Sequence, residues 1–563
     1  MLETRLVSSL EKVGICGEPT ELNKDYTFSV LLGETISFQI AYRESDKEKV
    51  SEYHLNKEVV RVHETDGVHE KLQEMEAPGI RVRRVLPVMC RYSCNPESWD
   101  EDYLFRDSRM APDLLRDIGE ESLTAGEEWQ SLWVDITPGQ GQLPGNYRVS
   151  VSLKPADGGK ETECCADVRV IDSVLPPLSI PHTEWFHFDG IVNYYKVGAF
   201  TEEFWKIFKN FLEVYVRRGG NMIYVPVLTP PLDTGVGLER TTIQLVDVEV
   251  SGDKYCFDFS NLERFLDICL ADGITYFEIC HLFTQWGAAA APKVEAKVNG
   301  ERKKIFGWDT PSDAPEYLHF LGELLPALKG VLAGRGLLPQ TFFHISDEPD
   351  LSSAHYQTAQ KAVRSLLEGC TIMEAVSDYE YYEKGLVDIP VCAVNHIEPF
   401  LEKHTPGLWS YFCCAQTVEV PNRFISMPSR RNRIYGILMY WHEISGFLHW
   451  GFNFYNSALS KEQIDPYETV DAGGTFPAGD AFLVYPGENG VPEESIRLMV
   501  QEEAISDYRA LCALESRIGR DKVLELIRQE AGMELSFRQY PKTDGFILSL
   551  RDKVNRLLME KGN

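Results

Sequence analysis

Two adjacent carboxylates, Asp347 and Glu348, close an apolar run and stand immediately before Pro349. The run Thr341-Phe342-Phe343-His344-Ile345-Ser346 is rich in aromatic and β-branched residues and reads as a buried strand. Pro349 cannot continue a ladder. The strand therefore delivers acids to its own end. Side chains alternate faces along a strand, so an extended Asp347 and Glu348 would point opposite ways and can share one cavity only where the strand is ending. Pro349 biases Glu348 towards an extended or turn conformation, which places the break there. Neighbouring like charges in a partly desolvated cleft raise one of the two pKa values. A proton donor then sits beside an anion near neutral pH, the pairing that acid/base work on an acetal needs. An Asp-Glu dipeptide taken alone is most often a solvated loop start; the apolar run before this one and the proline after it set it apart.

Such a pair has to be held by a scaffold. From residue 182 onwards strands and helices alternate: candidate strands cover 183–188, 222–227, 275–280, 341–346, 371–376, 390–394, 408–413 and 446–452. Helical stretches lie at 203–217, 262–271, 314–332 and 353–367, and Gly219-Gly220 and Gly273 fall where a helix ends ahead of a strand. Eight strands with crossovers fit a (β/α)8 TIM-type barrel over residues 182–480, whose functional groups sit at the C-terminal strand ends. The acid pair then ends the fourth strand. The connections at 229–259 and 282–313 are long, and the second carries Trp286 and Trp308; both are expected to wall the pocket. Residues 1–174 read as an antiparallel β-sandwich with a supporting role, from period-two runs at 35–42, 80–85, 130–136 and 147–153. A stiff connector, Leu175-Pro176-Pro177-Leu178-Ser179-Ile180-Pro181, separates the two. Residues 481–563 read as a C-terminal helical segment packed on the barrel, with helices at 493–518, 522–530 and 547–558.

A sugar pocket needs aromatic platforms for ring C–H faces and polar groups for hydroxyls. The eighth strand offers Trp450 and Asn453, the seventh Trp409 and Tyr411, and the first His187 with Asp189 behind it. Each alone is more often a core aromatic or a satisfied polar group, and their shared place at strand ends is what selects them. With 86 acidic against 56 basic residues the formal charge is −30, which repels phosphate backbones and anionic lipid, so the expected partner is a neutral glycan or glycoconjugate rather than nucleic acid or membrane. No apolar segment approaches a membrane span and the first residues show no basic region followed by a long apolar run, so a soluble, cytoplasmic protein is expected. Nothing specifies an oligomeric state. Of the thirteen cysteines, Cys256, Cys269, Cys280, Cys392 and Cys413 sit in apolar patterns and are expected as buried free thiols. Cys90 and Cys94 form a loose pair with no second pair to complete a zinc set, so no metal or cofactor is expected. Serine-nucleophile elbows, phosphate loops and dinucleotide fingerprints in a strand-to-helix setting are missing.

Several longer motifs add to the acid pair: Gly145-Asn146-Tyr147, Gln285-Trp286-Gly287, Phe306-Gly307-Trp308, Asp347-Glu348-Pro349, Pro421-Asn422-Arg423, Gly446-Phe447-Leu448-His449-Trp450-Gly451, Tyr485-Pro486-Gly487 and Ser495-Ile496-Arg497. Together they resemble glycoside hydrolase family 123 and its uncharacterised relatives over most of the chain. The resemblance implies a β-N-acetylgalactosaminidase that uses substrate assistance, an exception to the two-carboxylate scheme. In that mechanism the 2-acetamido oxygen attacks the anomeric carbon and forms an oxazolinium. Asp347 would orient the acetamido group, Glu348 would protonate the leaving oxygen and then activate water, and Tyr411 would touch the acetamido group. Adjacent acids can serve one sugar without the facing pair, about 5 Å apart, of ordinary retaining enzymes. Two other readings compete. A conventional retaining barrel glycosidase would need a nucleophilic carboxylate ending the seventh strand, where Tyr411, Phe412 and Cys413 stand, while Glu398 and Glu443 fall on helix or loop segments. A non-catalytic carbohydrate-binding protein on the same fold is the other.

Overall fold

The computed structural model describes residues 2–46, 49–62, 69–71, 77–119, 121–252, 254–349 and 354–560. Asp350, which follows Pro349, and Ser353, where the helix at 353–367 was expected to begin, lie outside them. The chain divides into two compact units. The first takes in the residues up to Ser179, Thr417–Trp441 and everything from Glu493; the second is Ile180–Gln416 with His442–Pro492.

The first unit is a β-sandwich. One sheet runs Leu2–Ser8, Ile36–Glu44, Gln130–Thr137, Gly79–Cys90, Arg109–Asp117, Glu493–Ser495; the other runs Thr27–Leu32, Thr162–Val174, Gly145–Pro155, Ser51–Val62. Alternation of apolar and polar residues puts one face of each sheet into a common core, where Phe38, Ile40, Leu132 and Val134 from the first meet Val30, Tyr147, Val149 and Val168 from the second. Each such fully buried side chain contributes about 1.5–3 kcal/mol. The expected antiparallel order has one exception, the parallel pair of Thr27–Leu32 with Thr162–Val174.

From Glu493 onwards the tail groups with this unit, while residues 481–492 group with the second. Helix Ile496–Ile518 buries charged residues that find partners within the first unit: Arg497 bonds both oxygens of Asp113 at 2.8 Å, while Glu503 and Asp507 bond Arg433 at 2.9 and 2.8 Å. Those partners lie far away in sequence, so the helical pattern alone could not name the surface that receives it.

The second unit is built on a closed barrel of eight parallel strands at the expected places, six of them shorter than expected and the fifth and sixth of the expected length: His182–Glu184, Met222–Val225, Tyr276–Ile279, Thr341–Phe343, Thr371–Val376, Ile389–Ala393, Trp409–Tyr411 and Phe447–His449. The regular (β/α)8 alternation that was expected is not kept. The crossovers after the fifth and sixth strands carry helices of only four and five residues, Glu380–Glu383 and Glu398–Glu402, and the helix after the seventh, Arg430–Trp441, belongs to the first unit. Where helices do form, their termini explain them: Thr201 accepts the Phe204 amide at 3.3 Å, and Glu202 and Glu203 occupy the first turn of Glu202–Arg217.

The two long connections are not simple loops. The one after the second strand forms the hairpin Asp247–Ser251 with Lys254–Asp258, the one after the third forms Val294–Val298 with Glu301–Phe306, and the hairpins join side by side in a four-stranded sheet. Cys256 lies on the first hairpin and is exposed, against expectation; Cys413 is partly exposed, and Cys269, Cys280 and Cys392 are buried, all as free thiols. Among the described residues no helix is long and apolar enough to cross a membrane.

Candidate active site

The fourth strand stops pairing as a ladder at Phe343. Beyond it the backbone amides of Ile345 and Ser346 donate to the Glu374 carboxylate at 2.5 and 3.2 Å. On the other side Phe283 and Trp286 donate their amides to the carbonyls of Ile345 and Asp347, both at 2.9 Å, and the Ser346 hydroxyl donates to the Thr284 carbonyl at 2.8 Å. The chain leaves the sheet without orphaned amides at 345 and 346 and turns at Glu348, whose φ is +39°. A non-glycine residue at positive φ costs energy that its surroundings must offset. Here the turn breaks the alternation that would otherwise separate the two acids.

Asp347 is half-buried and Glu348 is exposed at the rim. The Tyr411 hydroxyl, from the end of the seventh strand, donates to Glu348 Oε1 at 2.8 Å. Burial raises the Tyr411 phenol well above its ordinary pKa, so it stays a donor at any working pH. Desolvation and the charge of Glu348 push Asp347 well above the usual carboxylate range, with Glu374 and Asp233 adding to the effect and His344 opposing it. Asp347 therefore retains its proton into the range where isolated carboxylates have lost theirs.

Below the pair lies a charge network that fills the barrel. His344 sits between two carboxylates, with Nε2 at 2.5 Å from Glu278 and Nδ1 at 3.1 Å from Glu374, all three fully buried. Burial alone would lower the His344 pKa, but the hydrogen bonds to Glu278 and Glu374 outweigh it and push it to about 10. Glu278 also accepts from the Thr183 hydroxyl and the Trp185 indole, each at 2.7 Å. The His281 ring stacks on His344 at 4.3 Å, and burial together with that positive neighbour keeps it neutral. His281, His344 and Glu374 bring ligand-type atoms within 4.8 Å of one another. Both ring nitrogens of His344 are engaged by Glu278 and Glu374, which ties those three residues into one hydrogen-bonded network.

A second cluster carries Trp450. Its indole N–H donates to Asp480 at 2.8 Å, and its ring stands edge-on to Phe454 and Phe476. The close approach depends on Gly451, where a Cβ would lie 2.4 Å from the Ala481 carbonyl oxygen. His187 donates from Nε2 to the Trp450 carbonyl at 2.7 Å and accepts at Nδ1 from Arg240 at 3.0 Å; burial and that guanidinium lower its pKa to about 3. Arg240 also pairs with Asp189. Asn453 is fully buried and spends its amide on the His187 backbone at 2.7 and 3.0 Å.

Of the residues selected from sequence, Asp347, Glu348 and Tyr411 come together directly, and Trp286, 53% exposed with φ +57°, is tied to Asp347 through its backbone. Trp450 is half-buried. His187 and Asn453 are both buried next to it, and His187 also lines a small cleft with Asp189, Tyr224 and Arg240. Trp409 is a core residue at the start of its strand, packed on Phe342 and over Gly446, where a Cβ would come within 2.1 Å of its ring. Trp308 lines a cleft of about 400 Å³ between the two long connections, with Thr229, Pro230, Thr284 and Lys304. Asp347 and Glu348 are not among the residues that line it. Four residues of the site were not anticipated. Glu278 and Glu374 are carboxylates inside otherwise apolar strands, a signal open to a sequence reader. Asp233, lifted to about 6 by burial and by the charge of Asp480, and Asp480 itself sit in irregular segments that carry no such signal.

The glycoside hydrolase 123 catalytic domain model matches residues 185–514. A family 123 glycoside hydrolase from Clostridium perfringens, described for its hydrolysis of glycolipid glycans, superposes with a TM-score of 0.73 at 16% identity, covering 99% of this chain and 97% of that one. A β-glucuronidase from Parabacteroides merdae gives a TM-score of 0.31 at 10% identity, covering 84% and 53%. No curated protein matches the chain. With most of the second unit inside the matched region and the acid-bearing barrel strand at its centre, the chain belongs to glycoside hydrolase family 123.

Proposed function

We propose that the chain releases β-linked N-acetylhexosamine, in the first instance N-acetylgalactosamine, from a glycan by substrate-assisted retaining catalysis. The observation that carries this reading is the placement of two consecutive acids on one strand end, with Glu348 held by Tyr411 and Asp347 set deeper. Acids on neighbouring residues act on one edge of a sugar. They do not face each other across it as the nucleophile and acid/base of a conventional retaining enzyme do.

The proposed course uses the pair asymmetrically. Asp347 accepts the N–H of the 2-acetamido group, and that hydrogen bond favours its anion, so the shared proton moves to Glu348. The acetamido oxygen forms a bond to the anomeric carbon as the bond to the leaving oxygen breaks, and Glu348 gives that oxygen its proton. The oxazolinium is positively charged and is stabilised by the Asp347 carboxylate. Glu348, now an anion, takes a proton from the water that reopens the ring. The half-buried Trp450 supplies an apolar face for the sugar. The rival retaining mechanism is weakened because the seventh strand ends in Tyr411, while Glu398 begins a short helix after the sixth strand and Glu443 precedes the eighth. Cys413 is no substitute nucleophile, because its hydrogen bond to Cys414 and its burial push its thiol well above the ordinary range.

The test compares aryl β-glycosides with and without a 2-acetamido group. Hydrolysis confined to the acetamido series, and inhibition by a thiazoline that mimics the cyclised intermediate, are expected. Equal turnover of the 2-hydroxy glycosides, or indifference to the thiazoline, would overturn the mechanism.

A further inference from the structure

The reaction as proposed touches Asp347, Glu348 and Tyr411, and it leaves unused the carboxylates buried on the strands that flank them. Glu278 on the third strand and Glu374 on the fifth stand on either side of His344. They are not equivalent. Glu278 turns towards the first strand, where Thr183 and Trp185 bind it. Glu374 turns to the outgoing chain and takes the amides of Ile345 and Ser346, the last before Asp347. A neighbouring strand taking those amides would keep the segment extended and send the two acids to opposite faces. A carboxylate taking them lets the chain leave the ladder and turn at Glu348.

We propose that Glu374 is a positioning residue for the acid pair: it holds the two amides that lead into Asp347, and its negative charge acts on the proton the pair shares. The proposal rests on the acid-pair reading above. The groups that face Asp347 are Glu348 beside it, His344 and Glu374 beneath it, Asp233 from the connection after the second strand, and the phenols of Tyr224 and Tyr411. His344 favours an anion at Asp347 and the Glu374 carboxylate opposes it, so replacing Glu374 takes that repulsion away. An anion at Asp347 then meets less repulsion, and the pair releases its protons at lower pH.

Glu374→Gln tests this with little change of volume: its amide oxygen can still accept from Ile345 and Ser346, while its NH2 stands against Nδ1 of His344, which loses its acceptor there. The active form of the pair carries one proton, so the bell-shaped pH dependence of kcat/KM is bounded by the two ionisations of the pair. Both limbs are expected to move to lower pH by about one unit, roughly a tenfold fall in proton affinity. Glu278→Gln removes a charge without touching those amides and is expected to move the bell less. A uniform fall in kcat with the limbs unmoved, or an equal shift in both variants, would overturn the proposal. A readout without substrate separates it from the functional reading. In pH-difference infrared spectra, with Asp347→Asn assigning the band, the Asp347 carboxyl should lose its proton at lower pH in Glu374→Gln than in the unaltered protein. An unshifted band would overturn the proposal, whereas failure of the unaltered protein to hydrolyse any aryl N-acetylhexosaminide would overturn only the reading it rests on.

Discussion

Tyr411→Phe isolates one contact at the proposed site, the 2.8 Å hydrogen bond from the phenol to Glu348 Oε1. The ring is 5% exposed and is kept by the substitution, so packing is conserved and the unfolding free energy should change by no more than about 0.5 kcal/mol. What is lost is a hydrogen bond to an ionisable carboxyl, worth about 1.5–3 kcal/mol when shielded from water. Because Glu348 is exposed, water replaces part of the loss, leaving roughly 1–2 kcal/mol, or a fall of about 5- to 30-fold in kcat/KM. The assay is a series of aryl β-N-acetylhexosaminides that differ in leaving-group acidity. If Glu348 protonates the leaving oxygen, an unanchored Glu348 matters most where the leaving group is most basic, so the loss should grow along the series. A rate equal to that of the unaltered enzyme, or a loss of the same size for every leaving group, would refute the link between the tyrosine and the proton donor.

Glu348→Gln and Asp347→Asn should each lower kcat on a substrate with a poor leaving group by about 10²–10⁴-fold, and an unchanged rate in either would remove that residue from its role. Asp233, with a folded pKa near 6 against 3.8 for the unfolded chain, binds more protons folded than unfolded between those values. Stability should therefore decline as pH rises from about 4 to about 6 and level off above, by about 1–2 kcal/mol more than in Asp233→Asn. Denaturant midpoints across that pH range, with parallel curves for the two proteins, would show the carboxylate to be unperturbed. Gly451→Ala places a methyl 2.4 Å from the Ala481 oxygen and should cost about 1–3 kcal/mol while shifting Trp450 fluorescence; an unmoved midpoint with unmoved emission would mean that the 480–481 segment gives way freely.

Most barrel strands were legible as short apolar runs bounded by a glycine, proline or helix pattern, the first, His182–Glu184, only through the aromatic residues that follow it, and the acid pair was legible because two charges end such a run. The hairpins within 229–259 and 282–313 were not, since Asp247–Ser251 is short and half polar and Glu301–Phe306 opens on four charged residues, so both read as loop. His187 and Asn453 were selected for standing near strand ends; Asn453 bonds the His187 backbone, and His187 bonds the Trp450 carbonyl and the Arg240 guanidinium. Residue type and strand position are local properties. Which way a side chain faces once the strand has ended is not.

The sequence by itself determined the sandwich, the eight-stranded barrel and the strand that presents Asp347 and Glu348, because hydrophobic periodicity and the punctuation of proline and glycine act over a few residues. Only the tertiary structure decided what surrounds those acids. Tyr411, Glu374, His344 and Asp233 come from four different segments, and their influence on the pair depends on burial and on distances of a few ångströms, quantities that exist only after the barrel has closed.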